Sequence, residues 1–290
     1  METELASAGA RAGVKPLAVA PGASALSGSD AHERGGSAST VDLGAVPGTS
    51  GTEVVVVVPT YNEVDNLPRI YERLRGYGAT VGLLVVDDDS PDGTGRVADG
   101  LAAHDPHMWV LHRPGKSGLG RAYVDGMLSC LRAGAKVVVE MDADGSHQPE
   151  ELGRLTDAIA QGADVAIGSR YVGTGTVLGW ARHRSALSRA GNLYARRALA
   201  ISVRDLTSGF RAYTTDALRS IDVASIRSEG YAFQIEMAFR AVRQGLRVVE
   251  VPITFVERQT GTSKMSVKVA LEALWRVPSW RGSGGSRSIV

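Results

Sequence analysis

Val54-Val55-Val56-Val57-Val58-Pro59-Thr60-Tyr61-Asn62-Glu63 is the stretch that decides the fold. Five valines in succession leave no polar face, so the strand they form is buried on both sides, as in a parallel sheet covered by helices. Pro59 removes a ladder donor and the residues after it are polar, which ends the strand in a loop. Working outward, the same pattern repeats. Leu67, Ile70, Tyr71 and Leu74 recur at helical spacing, Leu83 to Val86 is a second apolar run, a helix is predicted around Arg96 to Ala103, and Trp109 to Leu111 reads as a short strand. Gly118-Leu119-Gly120 opens a helix carrying Met127, Leu128 and Leu131, and Lys136 to Met141 is the next strand. Pro149 then starts a helix that buries Leu152, Leu155 and Ile159, and Ala163 to Ile167 is a further strand. Alternating strand-helix units predict an α/β fold in three layers, with a mainly parallel central sheet and right-handed crossovers.

Ligands of such sheets sit beyond the carboxyl ends of the strands. Three polar loops gather there: Pro59 to Glu63, Asp87-Asp88-Asp89, and Asp142-Ala143-Asp144. In an extended segment Asp142 and Asp144 point the same way and can offer oxygens to one hard divalent cation, of the kind that accompanies a phosphate. Taken alone, the pair reads equally well as loop chemistry, because Asp favours turns and solvated strand ends. The second acidic cluster and the shared crevice favour the metal reading. Gly115-Lys116-Ser117 looks like the end of a nucleotide-binding P-loop, but Val110 stands where that motif needs its first glycine. A flexible lead into the following helix is the better reading.

A length of 290 residues suggests one sizeable domain with extensions. Residues 1–50 are rich in Ala, Gly and Ser without an aromatic residue and read as a disordered tail, 51–262 as the catalytic domain, and 263–290 as an amphipathic helix and flexible end. The net charge of +1 excludes gross electrostatic steering to nucleic acid, and no nucleic-acid partner is expected. Cys130 is the sole cysteine, so no intrachain disulfide exists, a reducing compartment fits, and a buried helix position is predicted for it. The start Met1-Glu2-Thr3-Glu4 and the break at Pro21 do not fit a secretory signal. No run approaches the roughly 18 apolar residues of a membrane span.

Together Pro59 to Glu63, Val86 to Thr94, Gly118 to Gly120 and Asp142 to Asp144 resemble an inverting family-2 glycosyltransferase of the GT-A fold, whose nucleotide half is Rossmann-like. Gly168 to Tyr171, Ser188 to Asn192, Asp205 to Arg211, Gly230 to Met237 and Val251 to Arg258 through Lys264 narrow the resemblance to the dolichol-phosphate mannosyltransferases and polyprenol monophosphomannose synthases. The likeness runs in order from about Val54 to Lys268. It implies that Pro59, Tyr61, Glu63, Val86 and Asp88 hold the guanosine of GDP-mannose, and that Asp142 and Ala143 contact its diphosphate and ribose region. It further implies that Asp144 binds Mg2+ or Mn2+ directly, with Asp142 and Ser146 completing the protein's share of the metal site. Ser146 departs from the glutamine many relatives carry there, and Asp89 from the usual glycine. Arg170, Arg184, Arg258 and Lys264 fall where the family meets acceptor phosphate or leaving diphosphate, with Asp144, Arg170 and Arg258 the catalytic set. Val177 is expected in a mobile loop, Gly173 to Gly179, that covers the donor.

The implied reaction moves mannose to a polyprenyl (dolichyl-type) monophosphate with inversion. That acceptor is already an anionic nucleophile, so positioning and charge neutralisation replace a general base. Transfer from another nucleotide sugar such as UDP-glucose is the nearest alternative. Asp142-Ala143-Asp144-Gly145-Ser146 also fits a haloacid-dehalogenase-type phosphatase, though that reading leaves the two earlier loops without a role. A nucleotide-sugar-binding subunit without turnover is a third. Arg182 to Arg197 holds five arginines and no acid, and reads either as acceptor-facing or as a solvated helix face. Some relatives pair with a separate membrane-protein partner. Here Val267, Ala270, Leu271, Leu274 and Trp275 with Lys268, Arg276 and Arg281 predict an interfacial helix, and so a cytoplasmic protein held peripherally at the inner face of the membrane.

Overall fold

The computed structural model describes residues 53–78 and 80–258; the tail at 1–50, Lys264 and the helix expected within 263–290 lie outside the described residues. The valine run forms β1 (Val54–Thr60), and its six residues from Val55 to Thr60 are buried. A helix α1 (Leu67–Tyr77) returns over the sheet on Leu67, Ile70 and Leu74, started by a proline in its first turn. There follow β2 (Gly82–Asp87), α2 (Thr94–Ala102), β3 (Met108–His112), α3 (Leu119–Ala133) and β4 (Val137–Glu140). Pro149–Glu151 makes a 3-10 turn before α4 (Leu152–Ala160), and β5 (Val165–Ser169) closes the part that the apolar runs predict.

The second half departs from simple alternation. It comprises β6 (Thr176–Leu178), α5 (Arg182–Leu199), β7 (Arg211–Thr214), α6 (Thr215–Ile221), α7 (Gly230–Arg243), β8 (Val248–Pro252) and β9 (Thr254–Val256). The main sheet has seven strands in the order β3-β2-β1-β4-β7-β5-β8, and only β7 runs antiparallel to its neighbours. Its first residue, Arg211, therefore pairs with Glu140 at the carboxyl end of β4 and brings the 206–210 segment to the crevice. Two apolar clusters cover the two faces: Val55, Val57, Leu84 and Val86 meet α3 and α7 on one, while Val56, Val58, Leu83 and Val85 meet α1 and α4 on the other. Alternate valines of β1 thus feed opposite layers, as a doubly covered strand requires. Cys130 is a core residue of α3, and burial pushes its thiol up to about 12.

One expectation is corrected here. Val177, expected in a mobile loop from Gly173 to Gly179, lies in the short strand β6, which pairs in parallel with β9 through Val177 and Phe255. Three β-prone residues between glycines find a partner far along the chain, which local composition does not reveal.

Candidate active site

The loops after β1 and β2 are laced together. Asn62 N donates to Ser90 Oγ (3.1 Å), Glu63 N to Thr94 Oγ1 (3.0 Å) and Val64 N to Asp92 Oδ2 (3.2 Å). The three adjacent acids are separated by their partners. Asp87 accepts from Thr60 Oγ1 (2.9 Å) and from the Ser90 amide and hydroxyl, whereas Asp88 is paired with the buried Arg113. Burial raises the Asp88 carboxyl above its ordinary value, and Arg113 only partly offsets this. Asp89 is exposed and takes φ 54°, so the turn expected to need glycine is kept by a residue that tolerates the left-handed region. Arg113 also meets Asp125 at 3.0 Å and bonds the Ser117 hydroxyl, anchoring the glycine-containing loop. Lys116 in that loop stands 4.1 Å over the Tyr61 ring.

At the end of β4, Asp142 is half-buried and accepts a hydrogen bond from the Tyr123 hydroxyl (2.8 Å), while its own amide donates to His147 Nδ1 (3.2 Å). Burial raises its carboxyl, with the Asp144 charge adding to the effect and His147 opposing it. Asp144 behaves in the opposite way. Burial acts to raise it, but the Ser146 hydroxyl (2.5 Å to Oδ1), the Ser146 amide (3.0 Å) and Arg258 (2.9 Å to Oδ2) together hold it below the usual carboxylate value. The two acids, both half-buried, are thus shifted in opposite directions. β9 delivers Arg258 to that position, since Val256 N bonds Ser146 O (3.1 Å).

The donor set is hard oxygen, which suits Mg2+ or Mn2+. Among the described residues no three His, Cys, Asp or Glu side chains converge to enclose a cation. The residues fit an open site, in which Asp144, Asp142 and Ser146 would supply part of the coordination and substrate oxygens and water the rest. A cavity of about 210 Å3 opens beside Asp144, lined by Asn66, Arg69, Arg73, Gln148 and Glu257 among others.

Pro59, Val86 and Ala143, expected at the donor, are buried, and Val86 packs within the core. Tyr61 and Glu63 are half-buried at its edge. Arg170, expected to meet phosphate, is 4% exposed and gives Nε (2.7 Å) and Nη2 (2.6 Å) to Asp205, leaving Nη1 as its open donor. Trp180, Tyr171 and Phe255 surround it with aromatic rings. Arg184 pairs with Glu257 and lies 4.3 Å over the Trp180 ring. Sequence reasoning missed Arg113, Tyr123, His147 and Asp205 as residues that hold the site. Arg113 follows a strand end directly, as the acidic loops do, and that position was its available signal.

Residues 55–222 match the model of the glycosyl transferase family 2. The chain belongs to glycosyl transferase family 2. It is 52% identical over 227 residues to the polyprenol monophosphomannose synthase of Mycolicibacterium smegmatis, covering 78% of this chain and 86% of that protein. It is likewise 52% identical over 227 residues to the undecaprenyl-phosphate mannosyltransferase of Micrococcus luteus, covering 78% of this chain and 93% of that one. Among solved structures, glucosyl-3-phosphoglycerate synthase from Mycobacterium tuberculosis, in complex with Mn2+ and UDP-glucose, superposes with a TM-score of 0.58 at 19% identity over 81% of each chain. That likeness shows the GT-A fold. Membership of that family sets the phosphatase reading aside.

Proposed function

We infer that this family-2 enzyme is a polyprenyl-phosphate mannosyltransferase, making polyprenyl phosphate mannose from GDP-mannose and a polyprenyl monophosphate with inversion at the anomeric carbon. The observation that carries the reading is Asp144, held ionised by Ser146 and Arg258 at the crevice where all the acidic loops meet, in a chain 52% identical to two enzymes of that name class.

The acceptor phosphate arrives as an anion, so no side chain has to remove a proton from it. Tyr61 and Glu63 flank the guanosine, and Lys116 above Tyr61 adds positive charge on that side. Asp142, fixed by Tyr123, orients the ribose and diphosphate end of the donor. Asp144, Asp142 and Ser146 would hold Mg2+ or Mn2+, which when bound neutralises charge on the departing diphosphate. Arg258 and Arg184 stand on the same side and offer guanidinium forks to phosphate oxygens. Arg170 positions the acceptor-side segment through Asp205 and keeps one amino group for phosphate. Residues 176–178, clamped to β9, form a wall against which the sugar rests.

No helix of the described residues is long and apolar enough to cross a membrane. To test donor choice, purified protein is supplied with polyprenyl phosphate, Mg2+ or Mn2+, and GDP-mannose and UDP-glucose in equal amounts, and the lipid product is weighed by mass spectrometry. A mannosyl lipid is expected. A glucosyl lipid as the main product would overturn the donor assignment and keep the acceptor one.

A further inference from the structure

Helix α7 carries Gly230 to Met237 in its first turns, and that end is pinned from three sides. Glu229, its N-cap, accepts from the Gly120 amide of α3 (2.9 Å). The Phe233 ring stacks on that of Tyr123 with centroids 5.9 Å apart, and Tyr123 is the donor to Asp142. Gln234 donates through Nε2 to Glu140 at the end of β4 (2.8 Å), and its carbonyl accepts from Arg211 (2.8 Å). These contacts set the direction of one more side chain. Tyr231 stands three residues before Gln234, so it shares that face one turn nearer the crevice, just as Asp142 lies two residues beyond Glu140. It is half-buried, its hydroxyl stays open to solvent, and among the described residues that hydroxyl has no hydrogen-bond partner. Arg170, Arg184, Asp142 and Tyr171 are close enough to act on it electrostatically. Burial raises the phenol above its ordinary value and outweighs the two arginines, so it is a neutral O–H donor at neutral pH.

We propose that the Tyr231 hydroxyl is a ligand of the acceptor phosphate, donating a hydrogen bond to a terminal oxygen beside the guanidinium groups of Arg170 and Arg184. Charge decides the ligand: two guanidinium groups call for an anion, and a phenol adds a further donor there without another cation to desolvate. Asp205 takes Nε and Nη2 of Arg170, so that arginine has only Nη1 left for phosphate, and the tyrosine makes up the number of donors. With two terminal oxygens held by these three side chains, the third is free to form the bond to the anomeric carbon as the bond to GDP breaks. The inference rests on the lipid-acceptor reading for the identity of the phosphate, and its test is separate from that of the transfer.

Calorimetric titration of geranyl phosphate, a short and soluble polyprenyl phosphate, into the full chain holding GDP and Mg2+ tests it, with GDP titrated separately. Tyr231→Phe keeps the ring and removes only the hydroxyl. Its affinity for geranyl phosphate is expected to fall about tenfold, the size of one hydrogen bond to a charged group. Its affinity for GDP and its melting temperature should match wild type, because the hydroxyl has no partner within the described residues to lose. In mannosyl transfer the same variant should raise the KM for the acceptor and leave that for GDP-mannose unchanged. Equal geranyl phosphate affinity in variant and wild type would overturn the proposal, as would no binding by wild type. So would a loss confined to GDP, which would assign the hydroxyl to the donor, or a lowered melting temperature with both affinities reduced, which would make its role structural. Geranyl phosphate bound by wild type and about tenfold more weakly by Tyr231→Phe, with no mannosyl lipid formed by either, would uphold the contact and count against the transfer reading alone.

Discussion

Replacing Asp205 with alanine should unfold the acceptor side of the enzyme more readily than any surface change. Asp205 is fully buried and accepts three hydrogen bonds from Arg170: from its amide (2.9 Å), Nε (2.7 Å) and Nη2 (2.6 Å). Alanine would leave that guanidinium charged and buried with only the Thr207 hydroxyl (2.8 Å) as acceptor. Removing one partner of a buried pair costs about 3–5 kcal/mol, mostly as the desolvation of the charge left behind. For a domain of this size that corresponds to a melting temperature roughly 10 °C lower. The effect depends on pH with a defined sign. Burial acts to raise the Asp205 carboxyl, but Arg170 overcomes it and holds the folded value below the 3.8 of a free aspartate. The stabilisation is therefore complete above 3.8 and is lost as the pH falls through the folded value, so the gap between wild type and variant should close in acid. Urea unfolding at neutral and acid pH measures both quantities. The double variant Arg170→Met, Asp205→Leu should recover most of the neutral-pH loss, because no charge remains to be desolvated. A single variant within about 1 kcal/mol of wild type, or a double variant as unstable as the single one, would refute the reasoning.

Three further outcomes follow from the geometry. Gly126→Ala would put a Cβ 2.5 Å from Val57 Cγ1 and 3.0 Å from Val86 Cγ2, so a loss of about 1–3 kcal/mol from overpacking is expected in urea unfolding, with the fold retained. Tyr123→Phe removes the donor to Asp142 and leaves a half-buried carboxylate oxygen short of a partner, which should cost about 1 kcal/mol at neutral pH; a silent variant would mean that water replaces the hydroxyl. Cys130, buried and with its thiol raised to about 12, should resist Ellman's reagent in the native protein and react fully once guanidinium unfolds it.

The first half of the fold was legible because its strands are near-continuous apolar runs ending in Pro, Asp or Gly. Val54 to Val58, Leu83 to Val86 and Lys136 to Met141 each lead into a loop that the structure brings to the crevice. The second half was not, because its order comes from distant partners. Arg211 opens β7 yet is fully buried, and it is satisfied by the carbonyls of Ser208, Leu206 and Gln234, which no local pattern connects. β6 and β9 are three residues each and exist only as a pair. At the site, the acids and Arg258 were legible as types in a spacing; their division of labour was not. Asp142 and Asp144 differ because Tyr123, His147 and Arg258 reach them from α3, the β4 loop and the end of β9. Val86 shows the converse: a residue inside a matched motif whose side chain belongs to the core.

The central claim is that this crevice transfers mannose to a lipid phosphate through a site that depends on Asp144. Its most direct test is the rate of mannosyl-lipid formation from GDP-mannose and polyprenyl phosphate by wild type and Asp144→Ala of equal thermal stability, with Mn2+ and after EDTA. The account predicts product from wild type, loss on chelation, and a rate at least about a hundredfold lower in the variant. Mannosyl lipid made equally fast by Asp144→Ala, or by wild type in excess EDTA, would contradict it.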